Sequence, residues 1–310
     1  MSRISIIVPV HNTEKYLEDT VRSIFEQKVQ DVEIILVENG STDGSLALCH
    51  KIAETDDRVK VMHLDRGDLA YARNSGLTLA TSEYVAFLDS DDTVKPEMYE
   101  ILLGIAEEHD LDMVYCNFVK KYDDLIDMYN YTEDGSITIM TPKEMLIRNF
   151  TQRINVNACT MISRRKLYDH LKFPENMYYE DRAFTFRLVN ASSKVGYINK
   201  PLYNYYQRKD SIIHSRSWKW YYDYAESDRL RLEFINNSDL FTPKEKTYLC
   251  EISAVSMLRK LRHVRKKAKT PEQKQKFLDM ARSINLIPAD CKLTTKTRLI
   301  RKIINSFYLK

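Results

Sequence analysis

Glycine is scarce in this chain, with only 7 in 310 residues, and none falls in Val8-Pro9-Val10-His11-Asn12, where the first apolar run ends. A dinucleotide fingerprint needs glycines there so that the backbone can approach a pyrophosphate, so a nicotinamide or flavin enzyme is not expected. A Gly-x-x-x-x-Gly-Lys phosphate loop is absent as well. The five cysteines, Cys49, Cys116, Cys159, Cys250 and Cys291, are an odd number without a Cys-x-x-Cys pair. Neither a disulfide framework nor structural zinc is therefore expected, and a reducing cytoplasm fits. No run of 18 apolar residues occurs and Met1 opens no signal-peptide pattern, so neither a membrane span nor export is expected.

What is present is an ordinary globular composition, 44% hydrophobic and 29% charged, enough for one large domain plus an appendage. The net charge of +3 hides a division. Residues 1–214 carry 25 Lys and Arg against 34 Asp and Glu, whereas residues 215–310 carry 22 against 10. An acidic body bears a basic tail, and the domain boundary is expected between residues 214 and 215.

Hydrophobic periodicity along the body alternates strand and helix. Strands are expected at 4–10, 31–37, 59–64, 84–88 and 112–118, and helices at 15–26, 45–54, 69–79 and 96–109. Such alternation implies right-handed crossovers and a mostly parallel sheet, an α/β, Rossmann-like nucleotide-binding architecture. Gly40, Gly44, Gly67 and Gly76 all lie in the loops or helix after the early strands, where the backbone turns tightly or approaches a ligand.

The apolar run Tyr84-Val85-Ala86-Phe87-Leu88 stops at Asp89-Ser90-Asp91-Asp92, three carboxylates within four residues. Clustering like charges costs free energy unless a partner compensates. At the carboxyl end of a strand, where open α/β sheets place their ligands, a divalent cation with oxygen ligands explains the cluster. The alternative is a solvated turn in which Asp91 or Asp92 caps the helix starting near Pro96.

Four segments in order, Ser5-Ile6-Ile7-Val8-Pro9-Val10-His11-Asn12, Val37-Glu38-Asn39-Gly40-Ser41-Thr42-Asp43-Gly44, Ala72-Arg73-Asn74-Ser75-Gly76 and Phe87-Leu88-Asp89-Ser90-Asp91-Asp92, resemble the signature of family 2 inverting glycosyltransferases with the GT-A fold. Phe173-Pro174-Glu175 with Tyr179-Glu180-Asp181 resembles the family's acceptor-side motif, and Leu202-Tyr203-Asn204-Tyr205-Tyr206 with Ser211-Ile212-Ile213-His214 its closing one. The resemblance covers roughly residues 3–214 and leaves the basic tail outside.

This resemblance implies transfer of a sugar from a nucleotide-sugar donor, with uridine diphosphate favoured, to a hydroxyl of a saccharide or lipid-linked acceptor in cell-surface polysaccharide synthesis. It implies that Asp91 holds Mn²⁺ or Mg²⁺ against the diphosphate, with His214 as a further metal ligand. Asp89 then faces the ribose or the metal's water shell, Ser90 belongs to the same donor site, and Arg73 supports the pocket. Pro9, Glu38 and Asn39 take the nucleobase end, where the family usually shows paired acidic residues and this sequence has asparagine at 39; an amide oxygen still accepts from a uracil N3–H. Asp181, expected at a loop-to-helix junction before a helix at 183–189, matches the general base. A sugar-1-phosphate nucleotidyltransferase and a catalytically silent nucleotide-binding relative are the alternatives, and intact Asp91 and Asp181 argue against silence.

Helices are expected in the tail at 218–236, 244–262 and 297–307. Residues 258–267 mix leucine and valine with seven basic residues counting His263, and residues 296–307 repeat the theme. One reading is a packed helical appendage with a solvated basic face; the other is peripheral attachment to an anionic inner leaflet of the plasma membrane. Nucleic acid is not expected, because the aromatic residues precede the basic run rather than interleave with it. The sequence carries no statement on oligomeric state, donor sugar or linkage.

Overall fold

Ile4–Val10 forms strand β1, and all seven of its residues are buried. A strand covered on both faces does not alternate polar with apolar residues, which is why this segment reads as a continuous apolar run. The computed structural model describes the chain except residues 1, 123–125, 128–133, 153, 155–156, 208–215, 288–297, 299–301 and 303–310. After β1 come α1 (Glu14–Phe25), β2 (Val32–Asn39), α2 (Ser45–Ala53), β3 (Val59–Leu64), α3 (Leu69–Leu79), β4 (Tyr84–Phe87), β5 (Thr93–Val94), α4 (Met98–His109) and β6 (Met113–Lys121). Then follow β7 (Ile126–Asp127), β8 (Ile137–Met140), α5 (Pro142–Phe150), β9 (Met161–Arg164), α6 (Glu180–Ala191), β10 (Val195–Tyr206), α7 (Trp218–Asn237), α8 (Pro243–Lys267) and α9 (Pro271–Arg282).

The strands form one sheet in the order β3-β2-β1-β4-β9-β6-β10-β5, with β7 paired to β6 and β8 to β10. The pairs β1/β2, β2/β3, β1/β4 and β6/β10 are parallel, as the alternating pattern predicts. β9 is inserted antiparallel to both of its neighbours, β4 and β6, so the sheet is mixed. α3 packs on β1 and β2 through Gly76, where an added Cβ would stand 2.5 Å from Ile7 Cγ2 and 3.0 Å from Val37 Cγ2. Only glycine allows so close a helix there.

The chain divides into two compact units, the first comprising Met1–Met145, Asn155–Asn176 and Arg187–Arg208, the second Leu146–Ile154, Met177–Phe186 and Lys209–Lys310. The change of charge near Ser215 does not reveal that 146–154 and 177–186 join the helical unit. They do so by aromatic packing: Phe150 and Phe186 lie against Phe234 of α7, with ring centroids at 6.2 and 5.0 Å.

Within the helical unit α8 packs on α7 and buries Cys250, Ser253, Ala254, Met257, Leu258, Leu261 and Val264, a stripe at helical spacing. That stripe carries the helix past its expected end at 262. Thr242 and Thr270 close capping boxes with Glu245 and Gln273, each followed by proline at the start of the helix. The leucines and valine of the basic run thus face inward, while Arg259, Arg262, Arg265, Lys266 and Lys267 are exposed. The helix expected at 297–307 lies outside the described residues apart from Arg298 and Lys302, which are helical. No helix among the described residues is long and apolar enough to cross a membrane. Cys49, Cys116, Cys159 and Cys250 are buried thiols that form no disulfide among the described residues, and Cys291 lies outside the described residues.

Candidate active site

β1 has β2 on one side and β4 on the other, so the strand order reverses at β1. Open α/β sheets bind ligands in the crevice that such a reversal leaves beyond the carboxyl ends of the strands. The loops after β1, β2 and β4 are laced together there. His11 Nδ1–H donates to the carbonyl of Asn39 at 2.8 Å, Asn12 Oδ1 accepts from the Thr42 N–H at 2.8 Å, and the Thr13 hydroxyl donates to Ser90 Oγ at 2.9 Å. Asn12 and Gly40 occupy the left-handed region, with φ of 53° and 70°. At Gly40 a Cβ would also press to 3.2 Å from the Arg66 backbone nitrogen, so the turn is closed to other residues.

Pro9 is buried near the end of β1, beyond Ile7, the last residue of β1 that pairs with β4. A proline lacking its N–H is tolerated where a neighbouring strand has ended. Across from it, Glu38 and Asn39 end β2 at 1% and 3% exposure. Glu38 Oε1 accepts from the Ser41 N–H at 2.5 Å and Oε2 pairs with His63 Nδ1 at 2.5 Å. Burial pushes the Glu38 carboxyl up, but the hydrogen bonds from Ser41 and His63 outweigh it and hold the group below its usual range. Both oxygens are therefore engaged. Asn39 Oδ1, by contrast, is buried without a hydrogen-bond partner among the described residues. An orphaned buried acceptor costs roughly 1–3 kcal/mol and marks a position where a ligand donor is favoured.

Arg73, which the resemblance implies supports the pocket, is only 3% exposed. Its guanidinium donates to Asp89 Oδ1 at 2.9 Å and lies 5.8 and 5.5 Å from the centroids of Phe87 and Phe173. The neighbouring Asn74 forms a reciprocal pair with the backbone of Phe173, its Nδ2 donating to the carbonyl at 3.0 Å and its Oδ1 accepting the N–H at 2.9 Å. The Ala-Arg-Asn segment and Phe173-Pro174-Glu175, a hundred residues apart, form one construction. Arg66 adds an ion pair to Glu175.

The acidic cluster separates into three environments. Asp89 is half-buried and held by Arg73, Asp91 is half-buried, and Asp92 is 1% exposed. The expectation that Asp92 caps the following helix is not met: α4 starts at Met98, preceded by Glu97. Asp92 Oδ2 instead accepts from the Tyr203 hydroxyl at 2.5 Å and Oδ1 from the Tyr206 N–H at 2.8 Å. Burial, followed by the charge of Asp89, pushes the Asp92 carboxyl well up. Its partners on β10 lie more than a hundred residues away, so no local pattern announces them. Ser90 is buried and tied to Thr13.

No group of three His, Cys, Asp or Glu side chains that could cage a metal occurs among the described residues. His214 lies outside them. The oxygen donors of Asp89 and Asp91 nonetheless suit Mg²⁺ or Mn²⁺, which keep several waters and bind through one or two carboxylates plus substrate phosphates.

Asp181 belongs to the helical unit. The helix expected at 183–189 begins earlier, at Glu180, so Asp181 stands in the first turn of α6 rather than before the helix. Its Oδ1 accepts from the Arg182 N–H at 2.5 Å, and its carbonyl from the Thr185 hydroxyl at 2.9 Å. Tyr179, immediately before the helix, is left-handed with φ 61°.

Sequence reasoning missed His11, His63, Asn74 and the Asp92–Tyr203 tie. His11 and Asn74 lie within the motif segments but were given no role there, and His63 was legible only as a polar residue near a strand end.

The family model described as glycosyl transferase family 2 matches residues 5–171. The glycosyltransferase GlyG of Streptococcus pneumoniae serotype 4 is 33% identical over 226 residues, which is 69% of this chain and 75% of that protein. A candidate teichuronic acid biosynthesis glycosyltransferase of Bacillus subtilis strain 168, TuaG, is 27% identical over 233 residues, 73% of this chain and 89% of its own. Among solved structures, S. aureus TarS residues 1–349 in complex with UDP-GlcNAc superposes with a TM-score of 0.75 over 98% of this chain and 87% of that one, at 22% identity, a likeness of fold. The matched family model spans Pro9, Asn39, Arg73 and Asp91, and the chain belongs to glycosyl transferase family 2.

Proposed function

We propose that this glycosyltransferase moves a sugar, with inversion, from a uridine diphosphate sugar to a hydroxyl of a saccharide or lipid-linked acceptor in cell-surface polysaccharide synthesis. The observation that carries the donor reading is the buried, unpartnered Asn39 Oδ1 at the end of β2. It is an acceptor suited to the N3–H of uracil, and Glu38, whose oxygens are already engaged, holds the turn that presents it. Arg73 holds Asp89 in place through its guanidinium. The polysaccharide reading is supported by the assignment of TuaG to teichuronic acid biosynthesis.

Asp91, with Asp89 and His214, would hold Mn²⁺ or Mg²⁺, which supplies charge to the diphosphate leaving group when bound. Asp181 takes the proton from the attacking hydroxyl, a role worth roughly 10²–10⁴-fold for a positioned base. The two carboxylates thus have separate duties, one at the departing oxygen and one at the incoming oxygen.

Release of nucleoside diphosphate from a panel of nucleotide sugars, with Mn²⁺, Mg²⁺ or chelator, tests the reading. Uridine sugars are expected to be preferred. Asn39→Leu, which keeps the branching at Cγ and removes the acceptor, is expected to raise the KM for the uridine donor about tenfold, the value of one lost buried hydrogen bond. Equal turnover of guanosine and uridine sugars would overturn the assignment of Asn39.

The exposed basic residues of α8 are proposed to contact an anionic membrane by charge alone, because the leucines and valine of the run are consumed by packing on α7. Each Lys or Arg near such a surface is worth about 1 kcal/mol and is screened by salt. The protein is expected to cosediment with anionic vesicles at low ionic strength and to leave them as salt rises. Absence of the full-length protein from anionic vesicles at low salt would leave the basic face simply solvated.

A further inference from the structure

The segment Tyr178–Arg182, which carries the proposed base, is gripped by one face of α7. Trp220, Asp223, Tyr224, Ser227, Asp228 and Arg231 recur at spacings of three and four and so line a single side of that helix. Asp223 Oδ2 accepts the Tyr178 N–H at 2.9 Å. The ring of Tyr179 meets Trp220 and Tyr224 edge-on, with centroids at 5.4 and 4.8 Å. Arg182 donates from Nε to Ser227 Oγ at 3.1 Å and from Nη2 to Asp228 Oδ1 at 2.5 Å, with its guanidinium 4.7 Å from the Tyr224 centroid. Arg231 Nε in turn donates to the Arg182 carbonyl at 3.4 Å.

Asp228 is 0% exposed and Arg231 is 4% exposed. Burial, with the charge of Arg182 beside it, pushes the Arg231 guanidinium down to about 9. Fully buried charge is a poor way to gain stability, since an apolar side chain of similar volume would serve as well or better. What charge adds is direction, and every directed contact here converges on the backbone or side chains beside Asp181. The left-handed Tyr179 points the same way, because a bulky residue in that region persists only where its surroundings over-determine it.

We infer that Asp228 is a positioning residue for the transfer reaction, fixing Arg182 and through it the first turn of α6 from which Asp181 acts. The inference rests on the reading of Asp181 as the base. The residue whose N–H donates to Asp181 Oδ1, Arg182, is held by its side chain to Asp228 and by its carbonyl to Arg231. Loss of the Asp228 charge lets Arg182 shift, and a displacement of about 1 Å in a reacting group costs on the order of 10² in rate. Donor binding, which uses the strand-end residues of the other unit, is left intact.

The test uses the full chain, the uridine sugar with the highest rate in the panel, and UDP with Mn²⁺ as the binding probe. Asp228→Asn is expected to lower kcat for UDP release about 10- to 100-fold, with KM and Mn²⁺-dependent UDP affinity within about twofold. In an Asp181→Asn background the same substitution is expected to change kcat by less than about twofold, the non-additivity of a residue that works through another. A kcat for Asp228→Asn within twofold of the unaltered enzyme overturns the inference, as does an equal loss with and without the Asp181 carboxylate. If Asp228→Asn loses UDP binding and its circular dichroism signal, Ser227→Ala is judged by the same two criteria. An Asp181→Asn enzyme with undiminished kcat would instead defeat the base assignment itself, so the two failures are separable.

Discussion

Exchange of Asp181 for asparagine is expected to lower sugar transfer by at least about two orders of magnitude while Mn²⁺-dependent UDP binding is retained. The amide matches the carboxylate in shape and still accepts the Arg182 N–H that now reaches Oδ1. What disappears is the ability to take a proton from the acceptor hydroxyl as it attacks. Two acidic residues in the first turn of α6 are also stabilised there by the helix dipole, so Asp181→Asn costs only a few tenths of a kcal/mol in fold stability. Single-turnover transfer and titration calorimetry with UDP separate chemistry from binding. Transfer within a few-fold of the unaltered enzyme would remove Asp181 from the mechanism.

Asp91 and Asp92, adjacent in sequence, are expected to fail in different ways. Asp91→Ala should weaken Mn²⁺-dependent UDP binding by at least about two orders of magnitude, since one unit charge about 4 Å from a phosphate is worth about 4 kcal/mol at an effective dielectric near 20. Its unfolding midpoint in urea should move less than that of Asp92→Ala, because Asp91 is half-buried whereas Asp92 is 1% exposed. Asp92→Ala should instead strip the acceptor from the buried Tyr203 hydroxyl and Tyr206 N–H and lower stability by roughly 2–5 kcal/mol. Asp92→Asn, a neutral isostere, should be milder. The carboxyl of Asp92 is raised in the folded protein, so the stability it contributes is full below its unfolded pKa and is lost as pH rises through the folded value. Asp92→Asn should therefore gain on the unaltered chain as pH increases. Urea titrations at several pH values, beside UDP binding for each variant, decide the matter. Equal losses of Mn²⁺-dependent binding at 91 and 92, with both variants fully stable, would show that the two roles are misassigned.

Much of the first unit was legible because its elements are long and locally consistent. β1, β3 and α3 occupy the residues that periodicity assigns, and most other ends shift by one or two. β9 was not legible: Met161–Arg164 is four residues long, and its place between β4 and β6 is a matter of pairing rather than pattern. β10 was read only as a motif in its second half, because Lys200-Pro201 interrupts it and shifts its register against β6. For α9 the signal was present in Thr270-Pro271-Glu272-Gln273, a capping box with proline at the first position, and went unread. At the site, motif residues at strand ends were identifiable, yet the partners that orient them were not. Glu38 with His63, Asn74 with Phe173, and Asp92 with Tyr203 are long-range pairs, and nothing in the neighbouring sequence specifies them.

The four buried thiols give the protein internal reporters of opening. Burial pushes Cys49 and Cys116 up to about 12, and each thiol becomes reactive only when its surroundings part and a thiolate forms in water. Cys49, Cys116 and Cys159 belong to the sheet-bearing unit and Cys250 to the helical one. The rate at which each cysteine is alkylated under native conditions therefore measures the opening free energy of its own unit. Nucleotide added during the labelling should slow the first three by mass action, and the response of Cys250 would register how far that protection is shared along the chain.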